Sequence, residues 1–267
     1  MAIDLFTIGK FTVHGYGLMI GLGFMVATLI GCTRAKKLGL SDDHYVNISI
    51  FVLLCGFAGG KLMYCIVNFK AFLESPLAVL GSEGFVVYGG IIIGVLTILI
   101  YCLIKKISFF EYFDLLTPSV AINQAFGRIG CFLAGCCYGK QTDSWLGVVF
   151  PEHSIAPAGV KILPTQLFMS AGDFIIFLVL LWYAKRRKKP GMVAGVYLAL
   201  YSVGRFLIEF LRDDPERGTV GALSTSQFVA IWIFAGAVIY MILLNKIVKS
   251  ESAEQPDTEE ESGNVES

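Results

Sequence analysis

Four polar residues near the end of one apolar stretch could together bind an anion. Tyr201, Arg205, Glu209 and Arg212 recur at i, i+4, i+8 and i+11, which places them within about 80° of one face of an α-helix. Arginine binds phosphate through paired N–H donors, and a nearby glutamate can orient its guanidinium group. The pattern therefore predicts an anion site, with mutual neutralisation of Arg205 and Glu209 as the alternative.

A second arginine lies in a glycine-rich segment. Arg128 has Gly127 and Gly130 beside it within the sequence FGRIGCFLAGCCYG, residues 126–139. Glycine lets a ligand or another backbone approach closely. The segment therefore favours a phosphate-bearing ligand at Arg128, against the alternative of close helix packing. Two weaker motifs, YGG at 88–90 and PTQ at 164–166, are also compatible with helix packing and helix initiation.

Three of the seven cysteines, Cys131, Cys136 and Cys137, lie in the same segment. Clustered thiols can bind a metal, form a disulfide or pack against apolar groups. The absence of a C-x-x-C pair disfavours a zinc site, whereas a disulfide and packing or lipid contact stay open. The other four cysteines stand singly in apolar runs and are predicted to act as small hydrophobic residues.

The elements that carry these residues are predicted to be membrane-spanning helices. The 267 residues are 55% hydrophobic and 16% charged, against about 25% charged residues in soluble domains. A crossing needs about 20 mainly apolar residues. We predict an all-α polytopic membrane domain in residues 1–249 and an acidic, disordered cytoplasmic tail in residues 250–267. Its seven predicted helices are the windows 16–32, 46–67, 85–104, 112–131, 166–183, 192–210 and 227–244, of which the fourth is the most polar.

The distribution of basic residues predicts the orientation of these helices. Twelve of the 21 lysines and arginines follow alternate windows: Arg34, Lys36, Lys37, Lys105, Lys106, Lys185, Arg186, Arg187, Lys188, Lys189, Lys246 and Lys249. The positive-inside rule then predicts that the N-terminus is outside and the C-terminus cytoplasmic. Charged residues within spans need a functional reason, and here they lie near the outer leaflet, which predicts a polar pocket there. A formal net charge of +0 argues against nucleic-acid binding.

At these residues the sequence resembles the prolipoprotein diacylglyceryl transferase family. The resemblance covers residues 13–217, and the arginine-glycine segment and the final polar pattern are its specific parts. The matching motifs, in the family's order, are YGL at 16–18, GK at 60–61, YGG at 88–90, GRIG at 127–130, PTQL at 164–167, and Tyr201 through Arg205 and Glu209 to Arg212.

The resemblance implies a multi-pass enzyme of the bacterial inner membrane whose site faces the outer leaflet. It implies transfer of the diacylglyceryl group of phosphatidylglycerol to the lipobox cysteine thiol in the signal peptide of a preprolipoprotein. This reaction forms a thioether and releases glycerol 1-phosphate, without a cofactor or metal. The implied residues are Arg205, Tyr88 and Tyr201 for catalysis; Arg128, Tyr16, Lys61, Cys131 and Gly139 for phosphatidylglycerol binding; and Glu209, Arg212 and Gln166 in support.

Four positions depart from the better-known members of that family. Tyr88 stands where many carry a histidine proposed as the base, Lys61 replaces an arginine, Cys131 an asparagine and Cys136 a glutamate. A phenol is a poor base at neutral pH unless a nearby cation favours its ionised form. Tyr88 acting beside an arginine, another route to thiol deprotonation, and altered activity all stay open. The rival functions are a lipid-binding or transport protein without the transferase activity, and a thiol-redox membrane protein.

Overall fold

The structure is a bundle of long helices with a few short hairpins. The computed structural model describes residues 4–8, 11–82, 84–152, 154–187, 189–213 and 218–253, and it is 74% helical. The helices are α1 (Gly15–Lys37), α2 (Asp42–Val67), α3 (Phe69–Glu74), α4 (Pro76–Gly81), α5 (Val87–Lys105), α6 (Phe109–Ala134), α7 (Thr165–Ala184), α8 (Met192–Ile208) and α9 (Thr225–Ala253).

Within the described residues, three two-stranded antiparallel hairpins accompany the helices, and none of them was predicted from the sequence. A single 3₁₀ turn, Glu209–Leu211, follows α8. The hairpins pair β1 (Asp4–Ile8) with β2 (Phe11–His14), β3 (Val148–Val149) with β4 (Lys161–Ile162), and β5 (Thr219–Val220) with β6 (Leu223–Ser224).

Each predicted window corresponds to a long helix, but the windows differ in hydropathy. Within the described residues, six helices are long and apolar enough to cross a membrane: α1, α2, α5, α7, α8 with its 3₁₀ turn, and α9. The fourth predicted window forms α6, which has 26 residues but is too polar to be among them. The helical, membrane-spanning character of the chain is therefore confirmed in its coarse form.

The position of α6 explains its polar composition. This helix packs against α1, α7 and α8, and both polar and apolar side chains along it are buried, from Tyr112 and Asp114 to Ala121 and Ala125. A helix surrounded by other helices does not need a wholly apolar surface. The outer helices instead expose large apolar side chains, as membrane helices do; examples are Phe57, Leu103 and Trp232.

A buried carboxylate joins the start of α6 to the start of α8. Asp114 is 1% exposed and accepts hydrogen bonds from the backbone N–H groups of Gly191 (2.8 Å) and Ala194 (3.0 Å). Arg187 pairs with the same carboxylate at 2.6 Å and also with Glu111. The acidic charge thus satisfies free N–H groups at the N-terminus of α8, where the helix dipole favours an anion.

At the opposite end of the bundle, irregular segments bring four helix ends together. The Gly139 N–H donates to the Leu163 carbonyl just before α7 (3.1 Å), and the Lys140 N–H donates to the Leu211 carbonyl just after α8 (2.9 Å). The start of α1 packs on the last turns of α6, because Gly130 has no side chain there. A Cβ at position 130 would lie 2.9 Å from Cδ2 of Tyr16.

The predicted acidic tail is only partly described. Helix α9 extends to Ala253, four residues into the predicted tail, and residues 254–267 lie outside the described part of the chain.

Candidate functional site

The predicted polar stripe is held by ion pairs at the end of α8. Arg205 Nη1 lies 3.0 Å from Oε2 of Glu209, and Arg212 Nη1 lies 3.8 Å from the same oxygen. The Glu209 side chain is 1% exposed. Arg205 also donates to the Ser226 hydroxyl at the start of α9 (2.6 Å). One buried carboxylate therefore orients two guanidinium groups.

The stripe is not continuous helix, which corrects the predicted geometry. Helix α8 ends at Ile208, Glu209 begins the 3₁₀ turn, and Arg212 is extended, with φ −86° and ψ 152°. Arg212 instead forms an antiparallel bridge with Gly139. The two arginines therefore approach Glu209 from different backbone segments.

Arg128 differs from Arg205 in making no ion pair within the part of the chain that the structure describes. Near the end of α6, it forms no hydrogen bond or ion pair with any residue that the structure describes. Its electrostatic neighbours are Tyr201, Asp173 and the thiols of Cys131 and Cys137. It also lies close enough to Arg205 for the two cations to repel each other. The structure thus brings the two predicted arginines into one electrostatic cluster.

A cavity of about 230 Å³ between α7 and α8 adjoins this cluster. Its polar lining residues are Asp173, Tyr201 and Arg205, and the rest of the lining is mainly apolar: Phe168, Met169, Gly172, Ile176, Gly204, Leu207, Ile208 and Leu211. Such a space suits part of an amphiphilic ligand, with its charge at one side and its chain at the other.

Asp173 is a candidate residue that the sequence analysis missed. Its side chain is 6% exposed, and it makes no hydrogen bond or ion pair within the described ranges. Its charge nevertheless lies near Arg128. A lone carboxylate within an apolar membrane window is itself a functional signal, and this signal was available in the sequence at residues 166–183.

The three predicted thiols converge beside Arg128. The sulfur atoms of Cys131, Cys136 and Cys137 all lie within 4.8 Å of one another. The pKa of the Cys137 thiol is lowered, because the other two thiols hydrogen-bond to its sulfur and because Arg212 and Arg128 lie nearby. None of the three is in a disulfide.

Gln166 and Gly139 have structural positions in the segments around the site. Gln166 is completely buried; its amide Nε2 donates to the Cys136 carbonyl (2.7 Å), while its Oε1 has no hydrogen-bond partner among the described residues. At Gly139, a Cβ would lie 2.7 Å from the Leu163 carbonyl oxygen and 2.8 Å from that of Leu211. Position 139 therefore requires glycine because two backbones cross there.

Tyr16 lies with the cluster, whereas Tyr88 and Lys61 belong to another pair of helices. Tyr16 is half-exposed at the start of α1, near Arg128 and the three thiols. Lys61 donates to the Ser82 and Gly84 carbonyls (2.5 and 3.2 Å), and Tyr88 is 53% exposed. No hydrogen bond or ion pair in the described structure joins Tyr88 or Lys61 to the arginines.

Comparisons with known proteins identify the family to which the chain is similar. A family model described as prolipoprotein diacylglyceryl transferase matches residues 4–243. A protein of Clostridium perfringens named phosphatidylglycerol–prolipoprotein diacylglyceryl transferase 2 is 44% identical over 92% of this chain and 96% of its own length. Proteins named as the same transferase in Clostridium tetani and Clostridioides difficile are 44% and 32% identical, over 89% and 94% of this chain and 96% and 98% of their own.

Proposed function

Because the chain belongs to the prolipoprotein diacylglyceryl transferase family, we propose that it transfers the diacylglyceryl group of phosphatidylglycerol to the lipobox cysteine of a preprolipoprotein. The observation that carries this proposal is Arg128, a guanidinium group that makes no hydrogen bond or ion pair in the described structure, near a cavity lined by Tyr201 and Arg205. A phospholipid headgroup would supply the missing anion.

The chemistry of the reaction fits two arginines. A cysteine thiolate attacks the carbon of the diacylglyceryl group that carries the phosphate ester, and a carbon–sulfur bond forms as the carbon–oxygen bond at that carbon breaks. The bonding electrons leave on the phosphate oxygen, and the products are a thioether and glycerol 1-phosphate. Fixed positive charges at that oxygen stabilise the transition state. Arg128 would bind the phosphate, while Arg205, oriented by Glu209 at 3.0 Å, would stabilise the departing charge.

The attacking thiol must lose its proton, because thiolate is the nucleophile. Tyr88 stands where the family's proposed base is found, but its ring is exposed and no described contact connects it to the arginines. Asp173 lines the cavity. The variants Tyr88→Phe and Asp173→Asn test which of the two residues accepts the proton of the thiol. Only the variant that lacks the proton acceptor should lose turnover while it still binds phosphatidylglycerol.

The proposed topology has seven spans, with the N-terminus outside, the C-terminus cytoplasmic and the site at the outer leaflet of the inner membrane. Its support is that the start of α1, the end of α6, the start of α7 and the end of α8 meet at one end of the bundle. The start of α6 meets the start of α8 through Asp114. The 26 residues of α6 would be about 39 Å long at 1.5 Å per residue, which is enough to cross about 30 Å of hydrocarbon.

Complementation of a bacterial strain depleted of its own transferase tests the function. The parent chain should restore growth and lipoprotein modification, and Arg128→Ala and Arg205→Ala should not. Lys140→Ala is the matched control, since it removes an exposed cation near the same end of the bundle. Membrane abundance should be measured for every variant.

Three results would contradict the proposal. Rescue by both the Arg128→Ala and the Arg205→Ala variant would contradict the proposed site. Failure of a well-expressed parent chain to restore growth would favour lipid binding or transport without transfer. Dependence on the cysteines but on neither arginine would favour thiol-redox chemistry.

A further inference from the structure

The three thiols at the end of α6 are held by a preorganised backbone. The helix ends at Gly135, whose φ is +77°, and the chain then turns through Cys137, whose φ of +58° is rare for a residue with a side chain. This double turn brings Cys136 and Cys137 back toward Cys131, in the preceding helical turn. The convergence needs no C-x-x-C spacing, which explains why the sequence pattern did not predict it.

Side chains from the start of α7 clamp the same turn. The Gln166 amide donates to the Cys136 carbonyl (2.7 Å), and the Thr165 hydroxyl donates to the Cys137 carbonyl (2.9 Å). Both donors are completely buried. The two cysteines are thus positioned from outside their own segment, as ligands of a specific site are.

We propose that Cys131, Cys136 and Cys137 bind a thiophilic cation of the Zn²⁺ or Cu⁺ class through three sulfur ligands. A metal–sulfur bond of about 2.3 Å implies sulfur–sulfur separations of about 4 Å around a three-coordinate centre. The three sulfurs already lie within 4.8 Å of one another, so small side-chain rotations suffice. Thiolates select such soft cations over Mg²⁺ or Ca²⁺.

A disulfide accounts for the geometry less well. It would need two sulfurs to close to about 2 Å, and it would leave the third thiol of the cluster without a role. Three-coordinate binding uses all three thiols. It leaves a further position on Zn²⁺ for water or another exogenous ligand, because no fourth histidine, cysteine or carboxylate joins the group within the described residues.

The surrounding charges favour an anionic metal complex. Three thiolates and one divalent cation carry one net negative charge, and Arg212 and Arg128 lie near Cys137. Occupation would place that negative charge where the headgroup phosphate is proposed to bind. The cation should therefore weaken phosphatidylglycerol binding. This consequence rests on the proposed function, whereas the metal binding does not.

The test is titration of the reduced full-length chain in detergent with Cd²⁺, followed by thiolate-to-metal charge-transfer absorption, and then with Zn²⁺ in competition. One Cd²⁺ per chain should bind, with release of protons. Cys136→Ser and Cys137→Ser should each lower the affinity for Cd²⁺ at least about tenfold. Mutation of residues that only hydrogen-bond to metal ligands already lowers metal affinity by roughly 10–100-fold, so loss of a ligand should cost no less. Cys55→Ser, on α2, is the control and should bind as the parent does. Metal-free thermal unfolding checks that each variant is folded.

Binding that survives in a folded Cys136→Ser or Cys137→Ser variant would overturn the site, as would a reduced parent chain that binds no Cd²⁺. The second readout is the KM for phosphatidylglycerol, which Cd²⁺ should raise in the parent but not in Cys136→Ser. An unchanged KM with the metal bound would overturn the coupling to Arg128. A chain without transferase activity would contradict the proposed function but leave the metal titration intact.

Discussion

The two arginines of the site should differ in their effect on stability when removed, because Arg205 has a buried ionic partner and Arg128 makes no ion pair within the described residues. Arg205 pairs with the buried Glu209 carboxylate at 3.0 Å and bonds the Ser226 hydroxyl at 2.6 Å. Arg128 has no such bonds within the described residues. We therefore expect Arg205→Ala to reduce both stability and activity, and Arg128→Ala to reduce activity alone.

The expected magnitudes follow from burial. Removing one partner of a buried ion pair costs about 3–5 kcal/mol. Arg212 stays 3.8 Å from Glu209, so the lower end, about 3 kcal/mol, applies. At roughly 2–4 °C per kcal/mol for chains near this size, the Tm of Arg205→Ala should fall by about 6–12 °C. Losing one donor that stabilises the developing negative charge costs about 10²–10³ in kcat, and this loss applies to both variants.

The assay combines thermal unfolding in detergent with turnover on phosphatidylglycerol vesicles and a lipobox peptide. The double variant Arg205→Ala/Glu209→Gln also removes the buried carboxylate charge, so it should recover only part of the Tm, because the ion pair with Arg212 is lost too, and it should not recover turnover. A fall in Tm for Arg128→Ala as large as that for Arg205→Ala would refute the reasoning, because it would give Arg128 a structural anionic partner.

Three further substitutions test other parts of the structure. Gly139→Ala should lower stability by about 1–3 kcal/mol through overpacking, because the added Cβ would meet two carbonyl oxygens. Gly236→Ala is the control: it has open space around it and should leave the Tm unchanged or slightly higher. Equal effects of the two variants in thermal unfolding would contradict the backbone crossing at Gly139. Asp114→Asn should destabilise by about 3 kcal/mol, since it breaks a 2.6 Å buried ion pair with Arg187, yet the folded fraction should retain the parent kcat. Asp173→Asn should keep the parent Tm and lose turnover, because Asp173 lines the cavity without a described ionic partner; a large loss of Tm with normal turnover would make it structural.

Much of the helical architecture was predictable because membrane helices are determined locally. Apolar windows of about 20 residues must form their hydrogen bonds internally in lipid, so hydropathy alone located α1, α2, α5, α7, α8 and α9 to within a few residues at most ends. The polar residues that interrupt such windows also marked Arg128 and Arg205 as candidates, because charge within a span is retained only for a reason.

The arrangement of the site was decided by contacts between segments distant in the sequence. Hydropathy could not show that α6 is enclosed by α1, α7 and α8, since shielding from lipid depends on its neighbours. It likewise could not show that α2 and α5, which carry Lys61 and Tyr88, pack against each other, or that Asp173 lines the cavity. The convergence of Cys131, Cys136 and Cys137 depends on two left-handed backbone positions and on clamps from α7. Side-chain type and depth in the membrane are local properties of a sequence, whereas the partner of each charge is decided only when the helices pack.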